Sequence, residues 1–399
     1  MTRGRRLLFA SILVAIPLVV ANIAAEVAVR AVLGVSAFDR EALLARKAEY
    51  IRRDAAIFAP HPFVGQVQTA DRGTDGPLAG REPLYAARPE ALPERPVRVL
   101  VLGGSLARHL SYDEPATDGR PGLAPDILQD RLNLAFSTDR FVVYNAATGG
   151  GKQPQQLFRL QYLLLLGERF DVVVNVDGFN EIALPLTENL PRGTPVIAPR
   201  AYPALLASVS ADAGCVERSN RAATSYVAVP VVELLRLAMM RRCVHRLTRA
   251  PAAVEEAVAR IGGPADVTEA QALGEARAIW ARSSAAIQRL ATDAGAAYLH
   301  ALQPNQYAPG SKPLSDEERE RAIDAPGTPY RDAIERHYAT LSTDSLDIPH
   351  ALDLRMLFRD DSATRYRDRC CHLNTSGMEI LADAIIARER AIFAAALAR

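Results

Sequence analysis

Cysteine is scarce, with four in 399 residues. That is too few for a disulfide-laced scaffold, and no two are spaced Cys-x-x-Cys, so the commonest zinc framework is excluded. Net charge is almost absent as well: 47 Lys and Arg stand against 46 Asp and Glu, leaving +1. Such a chain has no global field to hold a polyanion, and nucleic-acid binding is not expected. No internal repeat or low-complexity tract occurs, which argues against a solenoid or a linker-like chain. What the chain does have is apolar residues, 49% of the total, ample for a sizeable core.

The first long apolar run is terminal. Arg3, Arg5 and Arg6 precede an uncharged stretch from Leu7 to Ala25, broken by Glu26. About 20 such residues span a bilayer as a helix, and a basic flank favours keeping that end cytoplasmic. Residues 1–35 are therefore read as a signal anchor, although Val19-Val20-Ala21 also offers small residues of the kind a signal peptidase accepts. The expectation is a single-pass membrane protein with its bulk extracytoplasmic, in a periplasm-like compartment where disulfides are allowed. Four cysteines permit three pairings, and two arrangements stand out. Cys370 and Cys371 bond outward to Cys215 and Cys243, or Cys215 and Cys243 bond to each other. No metal or cofactor is expected, since His372 beside two cysteines lacks the usual ligand spacing.

Residues 36–94 are rich in Pro, Gly and charge and read as a juxtamembrane lead-in, with a helix near Tyr50–Ala59. The core domain, 95–399, opens on the β-branched run Val97–Leu102. Further strands are expected at Phe141–Asn145, Val172–Val176 and Ala297–Leu302. Helical spacing marks Gln155–Leu166, Ala270–Ala291, Val229–Arg249 and a final helix headed by Asn374. Alternating strands and helices imply an α/β fold with a mainly parallel sheet covered on both faces. The irregular, Pro-rich stretch at about 185–263 is read as a helical insertion, which a Cys215–Cys243 bridge would pin.

Chemistry-bearing residues follow the strands in order. Gly103-Gly104-Ser105-Leu106 ends the first strand, and its glycines allow a sharp turn that leaves the serine at the carboxyl edge of the sheet. Asn145-Ala-Ala-Thr-Gly-Gly150-Gly follows the second strand, Asp177-Gly-Phe-Asn180-Glu the third, and His372-Leu-Asn precedes the last helix.

Serine, glycine, asparagine and histidine in that order resemble the SGNH (GDSL-like) hydrolase superfamily over roughly Val97–Ala396, outside the insertion. The resemblance implies a three-layer α/β/α fold with a flavodoxin-like sheet. It implies Ser105 as nucleophile, His372 as base, and Ser105, Gly150 and Asn180 as oxyanion donors. Two departures are visible. The first block reads Gly-Gly-Ser where Gly-Asp-Ser is commoner, and the position three before the histidine is Arg369, leaving Asp368, four before, as the best acid ahead of Asp360 and Asp361. In an extended strand that spacing separates the two side chains by about 13 Å, so a helical or bulged backbone is required, which Cys370 and Cys371 would help impose. Lys152, Gln303 and Gln306 are of types suited to line a cleft for a hydroxylated substrate; His109 reads as structural. The implied activity is a serine esterase acting on O-acylated glycans or lipids. An O-acyltransferase sharing the acyl-enzyme, or an idle scaffold binding envelope polysaccharide, are the alternatives.

Overall fold

The computed structural model describes residues 3–54, 58–61, 64–68, 92–111, 126–200, 213–248 and 267–399. Much of the expected lead-in and parts of the expected insertion lie outside them. In chain order the elements used below are α1 (Arg3–Leu33), α2 (Arg40–Asp54), β1 (Val97–Gly103), α3 (Ser105–Arg108), α4 (Ile127–Phe136), β2 (Phe141–Asn145), α5 (Gln155–Leu165), β3 (Val172–Asp177), α6 (Phe179–Leu184), α7 (Ala213–Thr224), α8 (Pro230–Thr248), α9 (Glu269–Asp293), β4 (Ala297–Leu302), α10 (Asp316–Arg321), α11 (Pro329–His337), β5 (Ala351–Asp353), α12 (Thr375–Arg388) and α13 (Arg390–Ala398). A separate two-stranded sheet pairs Phe58–His61 with Gly65–Gln68. The helix expected near Tyr50 thus ends at Asp54, and extended chain begins at Phe58.

The main sheet is parallel throughout, with spatial order β2-β1-β3-β4-β5. This is the flavodoxin-like order, and both faces are covered. Val97, Val99 and Val101 of β1, Val172, Val174 and Val176 of β3, and Leu299 and Ala301 of β4 share one core with Leu128 and Leu132 of α4, Leu381 and Ile385 of α12 and Phe393 of α13. On the other face Leu302 packs with Phe179 and Ile182 of α6, Trp280 of α9 and Ile334 of α11. Strands buried on both faces need near-continuous apolar runs rather than alternation, which is why Val-Arg-Val-Leu-Val-Leu and Val-Val-Val-Asn-Val form the centre. The fold is α/β with three layers. The strand order also fixes where the chemistry sits: after β1 the chain turns onto one face, with Leu106, Ala107 and Leu110 in the first core, and after β3 onto the other, with Phe179 and Ala183 in the second. Chain leaving neighbouring strands in opposite directions opens a crevice at their carboxyl ends.

Chain contacts divide the molecule into two compact units, Met1–Ala59 with Pro203–Ala257, and Pro60–Tyr202 with Val258–Arg399. In the first, Val29, Leu33, Ala37 and Leu43 pack with Leu237 of α8, and a disulfide joins Cys215 of α7 to Cys243 of α8. The outward pairing of Cys370 and Cys371 does not occur; both are free thiols. At the centre of this unit Lys47 is fully buried, its Nζ donating to the carbonyls of Ala222 (2.8 Å) and Ser225 (2.6 Å) and to Glu233 Oε2 (2.8 Å). All three ammonium protons are used, the condition under which a buried ion pair is tolerated. Leu13–Leu33 of α1, with mean hydropathy 1.9, is long and apolar enough to cross a membrane.

Candidate active site

Two glycines shape the turn that presents Ser105. Gly103 has φ +139°, and a Cβ there would stand 2.1 Å from the Val176 carbonyl oxygen of β3, so only glycine permits this approach. At Gly104 a Cβ would come 2.4 Å from Asn180 Nδ2. The turns after β1 and β3 are thus in direct contact, and Ser105 opens α3 beside the Asn180 amide. Asn145, at the end of β2, donates from Nδ2 to the carbonyls of Ala107 (3.0 Å) and Arg108 (3.1 Å). Those carbonyls also accept from Leu110 N (3.1 Å) and Ser111 N (3.2 Å), so the Asn145 amide ties the end of β2 to the last turn of α3.

The histidine comes from a hairpin. Tyr366 and Leu373 form an antiparallel bridge, and Arg367 N donates to His372 O at 3.0 Å. Residues 368–371 are therefore a four-residue loop whose two ends face each other. Asp368 Oδ1 accepts from the backbone N–H of Cys370 (3.0 Å) and His372 (3.3 Å), while Oδ2 lies 2.5 Å from His372 Nδ1. Four-residue spacing works here because the chain reverses, rather than through a helix or bulge. A disulfide plays no part, since Cys370 and Cys371 Sγ are 3.6 Å apart. The loop is braced from behind: Gln306 Nε2 donates to Asp368 O (3.0 Å) and Tyr307 OH to Arg369 O (2.6 Å). Glu318 Oε1 accepts from the N–H of Arg365 (2.8 Å) and Tyr366 (2.9 Å).

His372 Nε2 lies 2.7 Å from Ser105 Oγ, so aspartate, histidine and serine form one line. The bonding pattern assigns the proton to Nδ1, facing the carboxylate, and leaves Nε2 to accept from the serine hydroxyl. Burial works to lower the His372 pKa, but the Asp368 bond and the nearby Cys370 and Asp368 charges outweigh it and raise the pKa. Burial likewise works to raise Asp368, and the bond to His372 and the two backbone N–H groups overcome it, holding the carboxylate ionised. His109 packs edge-on against His372, ring centroids 4.8 Å apart, and accepts from Arg367 Nη2 at 3.1 Å. Burial, with the fields of His372, Arg367 and Arg108, pushes its pKa down to about 2, so it packs as a neutral ring beside the relay.

On the other side of Ser105, Asn180 Nδ2 donates to Gly151 O at 2.8 Å, which uses one of its two amide hydrogens. The loop after β2 runs alongside the Ser105 turn, Thr148 N donating to Gly103 O (3.2 Å) and Gly151 N to Thr148 O (2.8 Å). Gly150 adopts φ +69° in this loop, and a Cβ there would meet Arg200 Cδ at 2.4 Å. Gly151, adjacent to it, is the glycine bonded to Asn180. One buried carboxyl holds both loops: Glu181 Oε1 accepts from Gln153 N (3.0 Å) and Gln156 Nε2 (3.3 Å), and Oε2 from Gly178 N (2.8 Å). Burial and the neighbouring Asp177 charge push the Glu181 pKa well up. Beneath it Asp177 accepts from Trp280 Nε1 and Asn175 Nδ2, each at 2.8 Å, and lies 2.9 Å from His300 Nε2.

Three residues expected to line the cleft do not do so. Lys152 is 1% exposed, its Nζ bonded to the Val196 carbonyl, and burial lowers its pKa to about 8 despite nearby Glu181, Glu188 and Glu275. Gln306 is spent behind the acid loop, on Ala322 O and Asp368 O. Gln303 is 2% exposed. Polarity in a loop after a strand signalled a cleft, but these side chains serve interior carbonyls and packing instead. Glu181 and Asn145 carried no assignment from sequence. For Glu181 a signal existed, since Gly178-x-x-Glu181 has the spacing of a capping box.

No protein-family model and no curated relative matches the chain. Among solved structures it is similar to a candidate GDSL-like lipase from Parabacteroides merdae ATCC 43184. That likeness has 11% identity and a TM-score of 0.32, over 74% of this chain and 96% of that one. At that score it carries no argument, and any activity has to follow from the geometry.

Proposed function

We propose that this chain is a serine esterase of the SGNH type, anchored by α1, with its catalytic unit outside the cytoplasm and acting on O-acylated glycans or lipids. The observation that carries it is the continuous relay, Asp368 Oδ2 to His372 Nδ1 at 2.5 Å and His372 Nε2 to Ser105 Oγ at 2.7 Å, at the carboxyl end of a parallel sheet. Ser105 Oγ attacks the acyl carbonyl while His372 Nε2 takes its proton, and Asp368 stabilises the imidazolium that forms. Charge developing on the carbonyl oxygen is received by the Ser105 N–H, which heads α3 and has no intrahelical acceptor. The second Asn180 amide hydrogen and the Gly150 N–H complete the hole. His372 then protonates the leaving alcohol, and water releases the acyl group by the reverse path.

Esterase action is tested on the full-length protein in detergent, with a fluorophosphonate probe and a short-chain aryl ester. Wild type should label and turn over while Ser105→Ala does neither; a folded wild type that resists the probe would sink the reading. Full-length chain should also stay with membranes through alkaline washing, and chain lacking residues 1–33 should not.

A further inference from the structure

The loop that carries the acid and the base also carries two thiols the relay does not use. Cys370 and Cys371 Sγ stand 3.6 Å apart, and with an imidazole nitrogen of His372 their ligand atoms all lie within 4.8 Å of one another. Two thiolates each about 2.3 Å from a tetrahedral zinc are about 3.8 Å apart, so the sulfurs already span the edge such an ion needs. The loop is fixed independently of the thiols, by the Asp368 carboxylate on the Cys370 and His372 N–H groups and by Tyr307 OH on the Arg369 carbonyl. Cys371 is buried and Cys370 half-buried, so Cys370 is the more accessible of the two sulfurs.

We infer that Cys370, Cys371 and His372 form a binding site for a thiophilic divalent cation such as zinc, and that its occupation switches the enzyme off. The ligand set is two soft sulfurs and one imidazole, which suits zinc and is unsuited to magnesium or calcium. Both His372 nitrogens are in use, Nδ1 on Asp368 and Nε2 on Ser105. Whichever one turns to the metal, either the acid or the nucleophile loses the histidine, so metal and acyl transfer compete for one side chain. Each thiol must lose its proton to ligate, so binding releases two protons and tightens as pH rises. The fourth position is left to water. The inhibitory half of this inference rests on the esterase reading; the binding half does not.

The test titrates metal-free full-length protein in detergent with zinc, reading the rate of fluorophosphonate labelling. In parallel, cobalt(II) is added and thiolate-to-cobalt charge-transfer absorption is followed. Wild type should lose labelling as zinc rises, recover it with chelator, and show the charge-transfer band. Cys370→Ser keeps the backbone bond to Asp368 and Cys371→Ala is a second, independent variant. Each should show a weakened band, with one thiolate left instead of two, and need about 10–100-fold more zinc, the range known for losing even a ligand's hydrogen-bond partner, scored against its own metal-free rate. Variants as zinc-sensitive as wild type, with no thiolate band in wild type, would overturn the inference. If wild type never labels, the esterase reading fails, and the cobalt band alone decides the site.

Discussion

Asp368 is held ionised by His372 and two backbone N–H groups, and in return it raises the His372 pKa above its ordinary 6.5. On the proposed esterase reading His372 accepts the Ser105 proton only when neutral, so kcat/KM should rise with pH through a limb lying above pH 6.5. Asp368→Asn removes the bond that raises it while burial continues to lower it. The limb should then move to lower pH and turnover fall by about 10⁴, because the imidazole tautomer is no longer fixed; a pH–rate profile checks both. Gly104 is the second decisive residue. Its hydrogen faces Asn180 Nδ2, and Gly104→Ala must displace that amide, so kcat should drop by about 10²–10³, the usual loss for one oxyanion donor, with KM little changed. Serine, histidine and asparagine were legible from sequence because each follows a strand or heads a helix. The Gly104–Asn180 contact was not, since it exists only when two turns 76 positions apart (180 − 104) meet across β1 and β3. Lys152 misled for the converse reason: a long apolar stem can bury its ammonium against a carbonyl, and no local pattern distinguishes that from a cleft lysine.

At the scale of elements, the four long strands, helices α5, α8 and α9, and the start of α12 were legible within a residue or two because each carries a full period of buried positions. β5 has three residues, too few for any periodicity, and the final helix breaks at Glu389, whose φ of −117° interrupts α12 before α13. The turn between β3 and α6 is the element that brings the chain to Asn180. Glu181 gathers two backbone N–H groups and one side-chain amide there. Glu181→Gln puts an NH₂ donor where an acceptor stood and sets donor against donor. The expected result is a loss of about 1–3 kcal/mol of stability, with kcat falling more than KM changes. A thermal melt and steady-state kinetics on the same sample separate the two effects.

For the molecule as a whole, the excursion at about 185–263 read as an insertion, and Pro203–Ala257 clusters with Met1–Ala59 as a compact unit of its own. Sequence offers no local sign of this, because the pairing of Lys47 with Glu233 spans 186 positions. Cys215–Cys243 closes a loop of 28 positions in that unit, and by loop-closure entropy its reduction should cost roughly 3–4 kcal/mol. Hydrogen exchange across Ala213–Thr248 should speed up under reductant. Metal-free Ser105 labelling should not change, because the Asp368–His372 loop contains no disulfide to lose.

Ser105 and His372 lie 267 positions apart, with Ser105 in the first strand-turn of the sheet and His372 just before the last two helices. During synthesis the serine is therefore complete long before any partner exists to activate it. A chain halted by a premature stop between Asn180 and His372 carries Ser105 and the turns after β1, β2 and β3 yet lacks the imidazole. On the proposed esterase reading such fragments are inert, because the Ser105 proton has no imidazole to move to.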